Sequence, residues 1–434
     1  MVAKKSTGKA AGKTRLLKVS AAGKASTAAA GFVFANPTSS PDDYSGFTTQ
    51  EKDADSNVKS AEYLEPFPKS RQPEVLSLSQ VLGQAAVYAI TKAGSIVFHS
   101  VGDTGGVKEP SKQFAVADAM ANDLAGKTYQ SGQPAFFYHL GDVVYFLGQE
   151  QYYYDQFYDP YRNYDAPIFA IPGNHDGMVA QSGKQKSLAG FLENFCTKKP
   201  GPAPEEQQFA RTTMIQPGVY FTLDAPFVKI IGLYSNTSEG ATQGVISGKV
   251  AGTAQITFLQ QQLKAAATAR KAGNHFALII AVHHPAFTGS DDHVPSSNVL
   301  RDLDAACQQA GILPDIVMSG HAHLYERFTR YKGGNQIPFL VAGMGGYFNL
   351  SGEKPTSKGG APPAPPVPPV TTTDYQKNKL ILEAYNDTTY GFLRLAVSAS
   401  ALKCQFFGVD VDTRIVTPGD SFTLDLNHHI VSTP

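Results

Sequence analysis

The sequence has 434 residues, of which 42% are hydrophobic and 17% are charged, which is ordinary for a soluble globular protein with a large buried core. Its 37 basic and 37 acidic residues balance, which excludes a strong attraction of the whole molecule to nucleic acid or membrane. Three widely separated cysteines, Cys196, Cys307 and Cys404, show neither metal-ligand spacing nor a disulfide framework.

The N-terminal region is basic and of low complexity. Residues 1–60 are rich in Ala, Gly, Lys, Ser and Thr, and we predict that they form a disordered tail. The alternative is a tether that brings the protein to nucleic acid or to an anionic lipid surface. A lysine interrupts the longest apolar run of the tail, so we expect no signal peptide. We also expect no transmembrane segment and a soluble protein, whose compartment the sequence does not identify.

Residues 61–93 are predicted to be an extension that packs on a core at residues 94–350. In this core, five short runs dense in β-branched and aromatic residues are predicted to be strands buried on both faces. These runs are residues 94–101, 134–140, 166–172, 276–282 and 314–320. Residues 253–273 and 298–311 have the apolar spacing of helices. Strands that alternate with helices predict a layered α/β fold.

Three further segments depart from this alternation. Residues 218–235 are predicted to be two strands joined by a turn at Asp224-Ala225-Pro226. Residues 351–374 are rich in proline, which predicts an exposed loop or a polyproline spacer. Residues 375–434 are predicted to form hairpins that complete a second sheet.

Five polar clusters follow successive predicted strands. They are "GDTGG" (102–106), "GDVVY" (141–145), "GNHD" (173–176), "HHP" (283–285) and "GHAH" (320–323). Because the carboxyl ends of strands in open α/β sheets face the ligand crevice, we expect these clusters to converge. Their carboxylates, phenol, amide and imidazoles are oxygen and nitrogen donors suited to hard or borderline metals. They are more numerous than one ion requires, so we predict two ions that share a carboxylate.

These five blocks, in this order, resemble the calcineurin-like metallophosphoesterases, and specifically the purple acid phosphatases. In the wider superfamily the first block is usually Asp-x-His and the second Gly-Asp-x-x-Asp. Here the first block is Asp103-Thr104-Gly105, and the second ends in Tyr145, as in the purple acid phosphatases. The resemblance implies a four-layer α/β/β/α sandwich of two mixed sheets flanked by helices.

The resemblance also implies a binuclear centre of Fe(III) and a divalent ion, which could be Zn, Fe or Mn. The first metal would be held by Asp103, Tyr145 and His323, the second by Asn174, His283 and His321, and both by a bridging Asp142. A phenol has a pKa of about 10, so ionised Tyr145 calls for a strong Lewis acid such as Fe(III). With two aspartates and a tyrosinate, Fe(III) with M(II) and a hydroxide leave the centre at +1, which favours a phosphate monoester dianion.

The implied function is an acid phosphatase that hydrolyses small phosphomonoesters by attack of a metal-bound hydroxide. His175 would bind a phosphate oxygen, His293 would act as general acid, and Asp176 would orient a histidine. His284 is predicted to be a packing or outer residue, and His139 a buried core histidine. Phosphodiesterase or nucleotide pyrophosphatase activity is the alternative within the class, and a non-catalytic metal-binding scaffold is the alternative outside it.

Overall fold

The computed structural model describes residues 67–178, 186–202, 211–236, 238–239, 242–249, 251–355 and 364–434. The predicted tail at residues 1–60 lies outside the described residues. The same holds for residues 61–66 of the predicted extension and residues 356–363 of the predicted proline-rich loop. The predicted domain boundaries stay predictions.

Eighteen strands occur in the described residues. In chain order, the strands are β1 (Val75–Ser77), β2 (Ser95–Val101), β3 (Pro134–His139), β4 (Ile168–Ala170), β5 (Phe221–Ala225), β6 (Val228–Leu233), β7 (Ser238–Glu239), β8 (Thr242–Gln243), β9 (Ala277–Val282), β10 (Ile316–Ser319), β11 (Tyr325–Lys332), β12 (Asn335–Ala342), β13 (Val370–Thr373), β14 (Lys379–Asn386), β15 (Tyr390–Ser398), β16 (Ala401–Val409), β17 (Val416–Asp425) and β18 (Ile430–Ser432).

Helices connect several of these strands. The α-helices are α1 (Ser79–Leu82), α2 (Gln84–Ala93), α3 (Ser111–Leu124), α4 (Asn174–Gly177), α5 (Ala189–Phe195), α6 (Ala254–Lys271) and α7 (Ser297–Ala310). Short helical turns also occur at Tyr129–Ser131, Glu150–Tyr152 and Tyr154–Tyr158. Helix α7 begins where the Ser296 hydroxyl accepts the Val299 N–H, and it ends at Gly311 in the left-handed conformation.

Two mixed sheets carry the fold. The nine-stranded sheet has the order β1-β5-β6-β9-β10-β12-β11-β14-β13, and the seven-stranded sheet has the order β18-β17-β16-β15-β2-β3-β4. Strands β6, β9, β10 and β12 run parallel in the first sheet, and β2, β3 and β4 run parallel in the second. Parallel strands covered on both faces are continuously apolar, which is why five of these seven strands (β2, β3, β4, β9 and β10) could be recognised as apolar runs in the sequence.

The sheets pack face to face, with helices outside them. Tyr138 on β3 stacks on Phe221 on β5, and Tyr325 on β11 stacks on Phe406 on β16, with 4.7 Å between the second pair of ring centroids. Gly232 allows this close approach, because a Cβ there would collide with the Tyr138 hydroxyl. Helices α2 and α3 contact the seven-stranded sheet, and α6 and α7 pack together beside the nine-stranded sheet. This arrangement confirms the predicted sandwich of two mixed sheets flanked by helices.

The C-terminal hairpins differ from the expectation. Residues 375–434 were expected to complete one sheet, but they contribute to both. Strand β14 pairs with β11 at one side of the nine-stranded sheet, and β15 pairs with β2 in the middle of the seven-stranded sheet. The turn between β14 and β15 therefore carries the chain across the sandwich. The sequence does not distinguish the two cases, because a hairpin alternates apolar and polar residues in either sheet.

The three cysteines are buried and free. In the part of the chain that the structure describes, none of the helices has the length and apolar character needed to cross a membrane.

Candidate metal centre

Three residues of the centre lie just beyond strand ends, and each of them has a left-handed backbone conformation. Asp103 lies beyond β2, Asp142 beyond β3 and His321 beyond β10, with φ of 57°, 56° and 72°. Few non-glycine residues adopt this conformation, although Asp and His do so more readily than most. Each of the three follows a glycine in the sequence. The backbone therefore turns sharply at three strand ends and directs polar side chains towards the same place.

The first donor group consists of Asp103, Tyr145 and His323. The Tyr145 hydroxyl lies 3.2 Å from Asp103 Oδ1 and 3.3 Å from His323 Nε2. The His323 Nε2 atom lies 3.6 Å from Asp103 Oδ1. All three side chains are almost completely buried. One carboxylate, one phenol and one imidazole thus face a common point.

The second donor group consists of Asn174, His283 and His321. The Asn174 Oδ1 atom lies 3.1 Å from His283 Nε2 and 2.9 Å from His321 Nδ1. The His283 ring is oriented from its other side, because its Nδ1 donates to the Leu140 carbonyl at 2.8 Å. This bond leaves the His283 Nε2 lone pair free to bind a metal.

Asp142 lies between the two groups. Its Oδ2 is 3.4 Å from His283 Nε2. Ligand atoms of Asp103, Asp142 and His283 all lie within 4.8 Å of one another. The other carboxylate oxygen of Asp142, Oδ1, accepts the backbone N–H of His175 at 2.8 Å. The carboxylate is therefore held in the position that a bridge between two ions requires.

These residues fit a pair of metal ions. Metal–ligand bonds of roughly 2.0–2.2 Å place neighbouring ligand atoms about 3 Å apart, as in both groups. Burial raises the pKa of Asp103, with a further increase from the Asp142 carboxylate. Burial alone would lower the pKa of His283, but Asp142 and Asp103 raise it to about 9. Within the described residues, Asp103 and Asp142 form ion pairs with histidines but not with Lys or Arg. Cations would supply the missing positive charge.

Tyr145 fills the space beside Gly105. A Cβ at Gly105 would lie 2.6 Å from the Tyr145 ring and would also collide with the Gln156 side chain. A histidine at position 105 therefore cannot coexist with this tyrosine. Burial, followed by the charges of Asp142 and Asp103, raises the pKa of Tyr145. A strongly charged cation is consequently needed to ionise this phenol.

Two glutamines that the sequence analysis did not identify hold Tyr145 in place. Gln156 accepts the Tyr145 N–H at 2.8 Å and donates to the Tyr145 carbonyl at 2.7 Å. Gln113 donates to the Gln156 carbonyl at 2.6 Å and accepts the Gly106 N–H at 3.0 Å. Both side chains are fully buried. No motif marks them, since a glutamine on a helix is usually exposed.

His139 is buried, as predicted, and it also joins the first two blocks. Its Nδ1 accepts the Gly141 N–H at 3.1 Å, so its Nε2 donates to the Thr104 hydroxyl at 2.8 Å. Burial lowers the pKa of His139 to about 3, so the ring is neutral. This single tautomer fixes Thr104, next to Asp103, relative to the turn that carries Asp142.

His175 and Asp176 have different surroundings. His175 Nδ1 donates to the Phe146 carbonyl at 2.8 Å, and its ring packs 4.4 Å from the Tyr145 ring. Asp176 was expected to orient a histidine, and this is wrong. Its carboxylate instead accepts the backbone N–H groups of Val143, Val144 and Gly173. Burial, with the Asp142 charge, raises the pKa of Asp176 to about 7. Asp176 therefore fastens the second polar block to the third.

His293 lies on the loop after "HHP" and faces the second donor group. Its ring centroid is 4.6 Å from that of His321 and 5.1 Å from that of His323. Asp292 Oδ1 accepts from His293 Nδ1 at 2.6 Å. Glu326 fixes this loop, because its carboxylate accepts the Thr288 hydroxyl and the Gly289 N–H, both at 2.6 Å. The structure thus brings His293 to the centre although it is distant in sequence from most of the ligands.

His284 points away from the donor atoms, as the alternation of a strand requires. Its Nδ1 bonds to the Ser235 hydroxyl at 2.8 Å, and burial lowers its pKa to about 3. Its ring lies behind His321, with 4.3 Å between centroids. His284 therefore supports a proposed ligand rather than joining the set.

Tyr347 is a further aromatic residue of the centre that the sequence analysis did not identify. It follows the glycine-rich segment "GMGG" (343–346), and its N–H donates to the Asp103 carbonyl at 3.0 Å. Its ring packs on Tyr145 at 4.2 Å and on His323 at 4.5 Å. Burial, then the carboxylates of Asp142, Asp103 and Asp292, raise the pKa of Tyr347. The Tyr347 hydroxyl thus lies within the electrostatic influence of these three carboxylates.

The two packed sheets and the donors at their strand ends define the class of metal-dependent phosphoesterases. The sequence profile of the calcineurin-like phosphoesterase family matches residues 97–325, and the chain belongs to this family. This family typically binds a binuclear metal centre. A comparison with curated proteins finds no match.

Several solved structures are similar to the chain. GAP50, the anchor in the inner membrane complex of Plasmodium, has a TM-score of 0.48 and 14% identity, with 76% of this chain and 88% of that chain covered. PhoD has a TM-score of 0.43 and 11% identity, with 78% and 71% covered. A putative 5'-nucleotidase from Staphylococcus aureus has a TM-score of 0.32 and 13% identity, with 76% and 54% covered.

Proposed function

We propose that this protein is an acid phosphatase that hydrolyses phosphate monoesters at a binuclear centre of the purple acid phosphatase type. The observation that carries the proposal is the position of Tyr145. Its hydroxyl completes a group with Asp103 and His323, in the space that a side chain at position 105 would need. Tyrosine as the third donor favours Fe(III) at this position. Asn174, His283 and His321 would hold a divalent ion, with Asp142 bridging.

When bound, the two ions would act as Lewis acids and lower the pKa of a water molecule to near neutrality. The chain's own residues would hold the substrate against them. His175 donates through Nδ1 to a carbonyl, and its side chain is 25% exposed, so the protonated ring would donate through Nε2 to a phosphate oxygen. His175 and Tyr347 both pack on the Tyr145 ring, with centroid distances of 4.4 and 4.2 Å.

His293 would donate a proton to the leaving alcohol. The Asp292 carboxylate holds its Nδ1–H, which directs Nε2 towards the space above His321 and His323. A histidine whose tautomer and orientation are fixed by a carboxylate is well placed to transfer protons through its other nitrogen. Glu326 would act indirectly, because it fixes the loop that carries this pair.

The test of the proposal compares p-nitrophenyl phosphate with its bis ester, using the metal-loaded full chain. We expect a higher kcat/KM for the monoester. A higher kcat/KM for the diester would overturn the monoester assignment in favour of a phosphodiesterase. Binding of two ions without turnover of either ester would favour a metal-binding scaffold, which the complete donor set argues against.

A further inference from the structure

Tyr347 holds a position in the crevice that no residue of the five polar blocks occupies. Its backbone is tied to Asp103, and its ring covers Tyr145 and the edge of His323. The side chain is only partly buried, although the two rings on which it packs are buried. The Tyr347 ring therefore lies between the first donor group and the open crevice.

The hydroxyl of Tyr347 has no structural task that the described residues reveal. It forms no hydrogen bond with any residue in the described ranges, and it is not among the buried polar atoms that lack a partner. Its oxygen is thus open to the crevice. A hydroxyl that only filled space could be buried in the packed interior, as the Tyr138 hydroxyl is in this protein.

We propose that the Tyr347 hydroxyl donates a hydrogen bond to a phosphoryl oxygen of the substrate. The inference rests on the proposed function, since it assumes that a phosphoryl group enters this crevice. Phosphoryl oxygens are strong acceptors, and an un-ionised phenol is a donor at neutral pH. His175 also packs on the Tyr145 ring, so the phosphoryl group would have a second donor, a protonated imidazole, beside the first metal's tyrosine.

Tyr347→Phe tests this role because it keeps the ring that packs on Tyr145 and His323 and removes only the hydroxyl. The matched control is Tyr88→Phe, which removes the hydroxyl of a tyrosine that is 63% exposed on helix α2. Binding of inorganic phosphate to each metal-loaded protein would be measured by calorimetry. Metal content, the visible absorption spectrum and the KM for p-nitrophenyl phosphate would be measured in parallel.

We expect Tyr347→Phe to weaken phosphate binding about tenfold and to raise KM by a similar factor, the effect of one hydrogen bond to a charged group. Its metal content and spectrum should match the wild type, and Tyr88→Phe should match it in every measurement. Phosphate binding within about twofold of the wild type would overturn the inference and leave the proposed function intact. Loss of metal from Tyr347→Phe would also overturn it, because the hydroxyl would then act on the centre itself. A wild-type protein that neither binds phosphate nor hydrolyses the ester would overturn both.

Discussion

Two buried charged clusters, one on the nine-stranded sheet and one at strand ends of both sheets, differ in how their charges are balanced. Around Arg330 on β11, the guanidinium binds both oxygens of Asp304 at 2.7 and 2.8 Å and also donates to Asp374 at 2.7 Å. Lys332 adds a second cation beside Asp304. Around Asp103 and Asp142, the described side chains that face the carboxylates are histidines and a phenol.

The difference separates a structural cluster from a functional one. A buried charge is costly unless it is paired. The Arg330 cluster pairs its charges within the protein, so it needs nothing from outside. Among the described residues, the metal centre has no Lys or Arg paired with its two carboxylates, and the histidines that face them are spaced as metal ligands. The predictions that follow would break or sharpen this contrast.

The largest expected effect is on catalysis, in His321→Ala. The His321 Nδ1 atom belongs to the second donor group, so its loss should reduce kcat/KM for p-nitrophenyl phosphate by roughly a thousandfold and lower the metal content. His284→Ala is the matched control, because His284 bonds to Ser235 and lies outside the donor set. It should keep activity within about tenfold. Equal losses in both variants would show that the two histidines are wrongly assigned.

The next effect is on stability, in Arg330→Met. This variant leaves Asp304 and Asp374 without their shared guanidinium and should lower the free energy of unfolding by about 3–5 kcal/mol. Arg414→Ala removes a cation whose 3.9 Å pair with Asp118 is about half exposed on both sides, and it should cost at most about 1 kcal/mol. Urea denaturation measures both. A cost for Arg330→Met no greater than that for Arg414→Ala would mean that the buried cluster is not structural.

Asp103→Asn, in contrast to Arg330→Met, should not lower the free energy of unfolding of the metal-free protein. In chelator-treated protein it removes a buried carboxylate whose pKa is raised by burial, so the free energy of unfolding should be unchanged or higher than in the wild type. Added metal should then stabilise the wild type but not the variant. Denaturation with and without metal measures both effects. A metal-free variant that is clearly less stable than the wild type would contradict the contrast between the clusters.

The smallest effect concerns pH. Burial would raise the pKa of Asp304, but its bonds to Arg330 and Lys332 hold it below the usual value, and Asn378 and Arg330 do the same for Asp374. Both folded-state pKa values lie below the unfolded one, so this stabilisation is present above about pH 4 and is lost as pH falls through the folded values. The stability difference between the wild type and Arg330→Met should therefore shrink below about pH 4. A constant difference down to pH 2 would contradict this.

The sequence could predict the parallel strands and the residues at their ends, because both have local signals. A strand buried on two faces is a continuous apolar run, and Gly-Asp or Gly-His after such a run marks a turn that presents a side chain. The convergence of Asp103 and Asn174 followed from the rule that the carboxyl ends of such strands share one edge, and the packing of the two sheets brings His321 to the same place.

The supporting residues could not be predicted in this way. Gln113, Gln156 and Tyr347 lie on a helix, a helical turn and a loop, and their contacts depend on how the segments pack. Asp176 was expected to orient a histidine, but its carboxylate meets backbone N–H groups of two other segments, and no local pattern reveals these contacts. The division of the C-terminal hairpins between two sheets likewise depends on the turn at residues 387–389, which no alternation pattern reveals.

The most direct test of the central claim is metal analysis of the purified protein together with its visible absorption spectrum. We expect two ions per chain, one of them iron, and a visible band from tyrosinate bound to Fe(III) that disappears in Tyr145→Phe. A colourless wild-type protein that contains two divalent ions, or a band that persists in Tyr145→Phe, would contradict the assignment of Tyr145 to a ferric site.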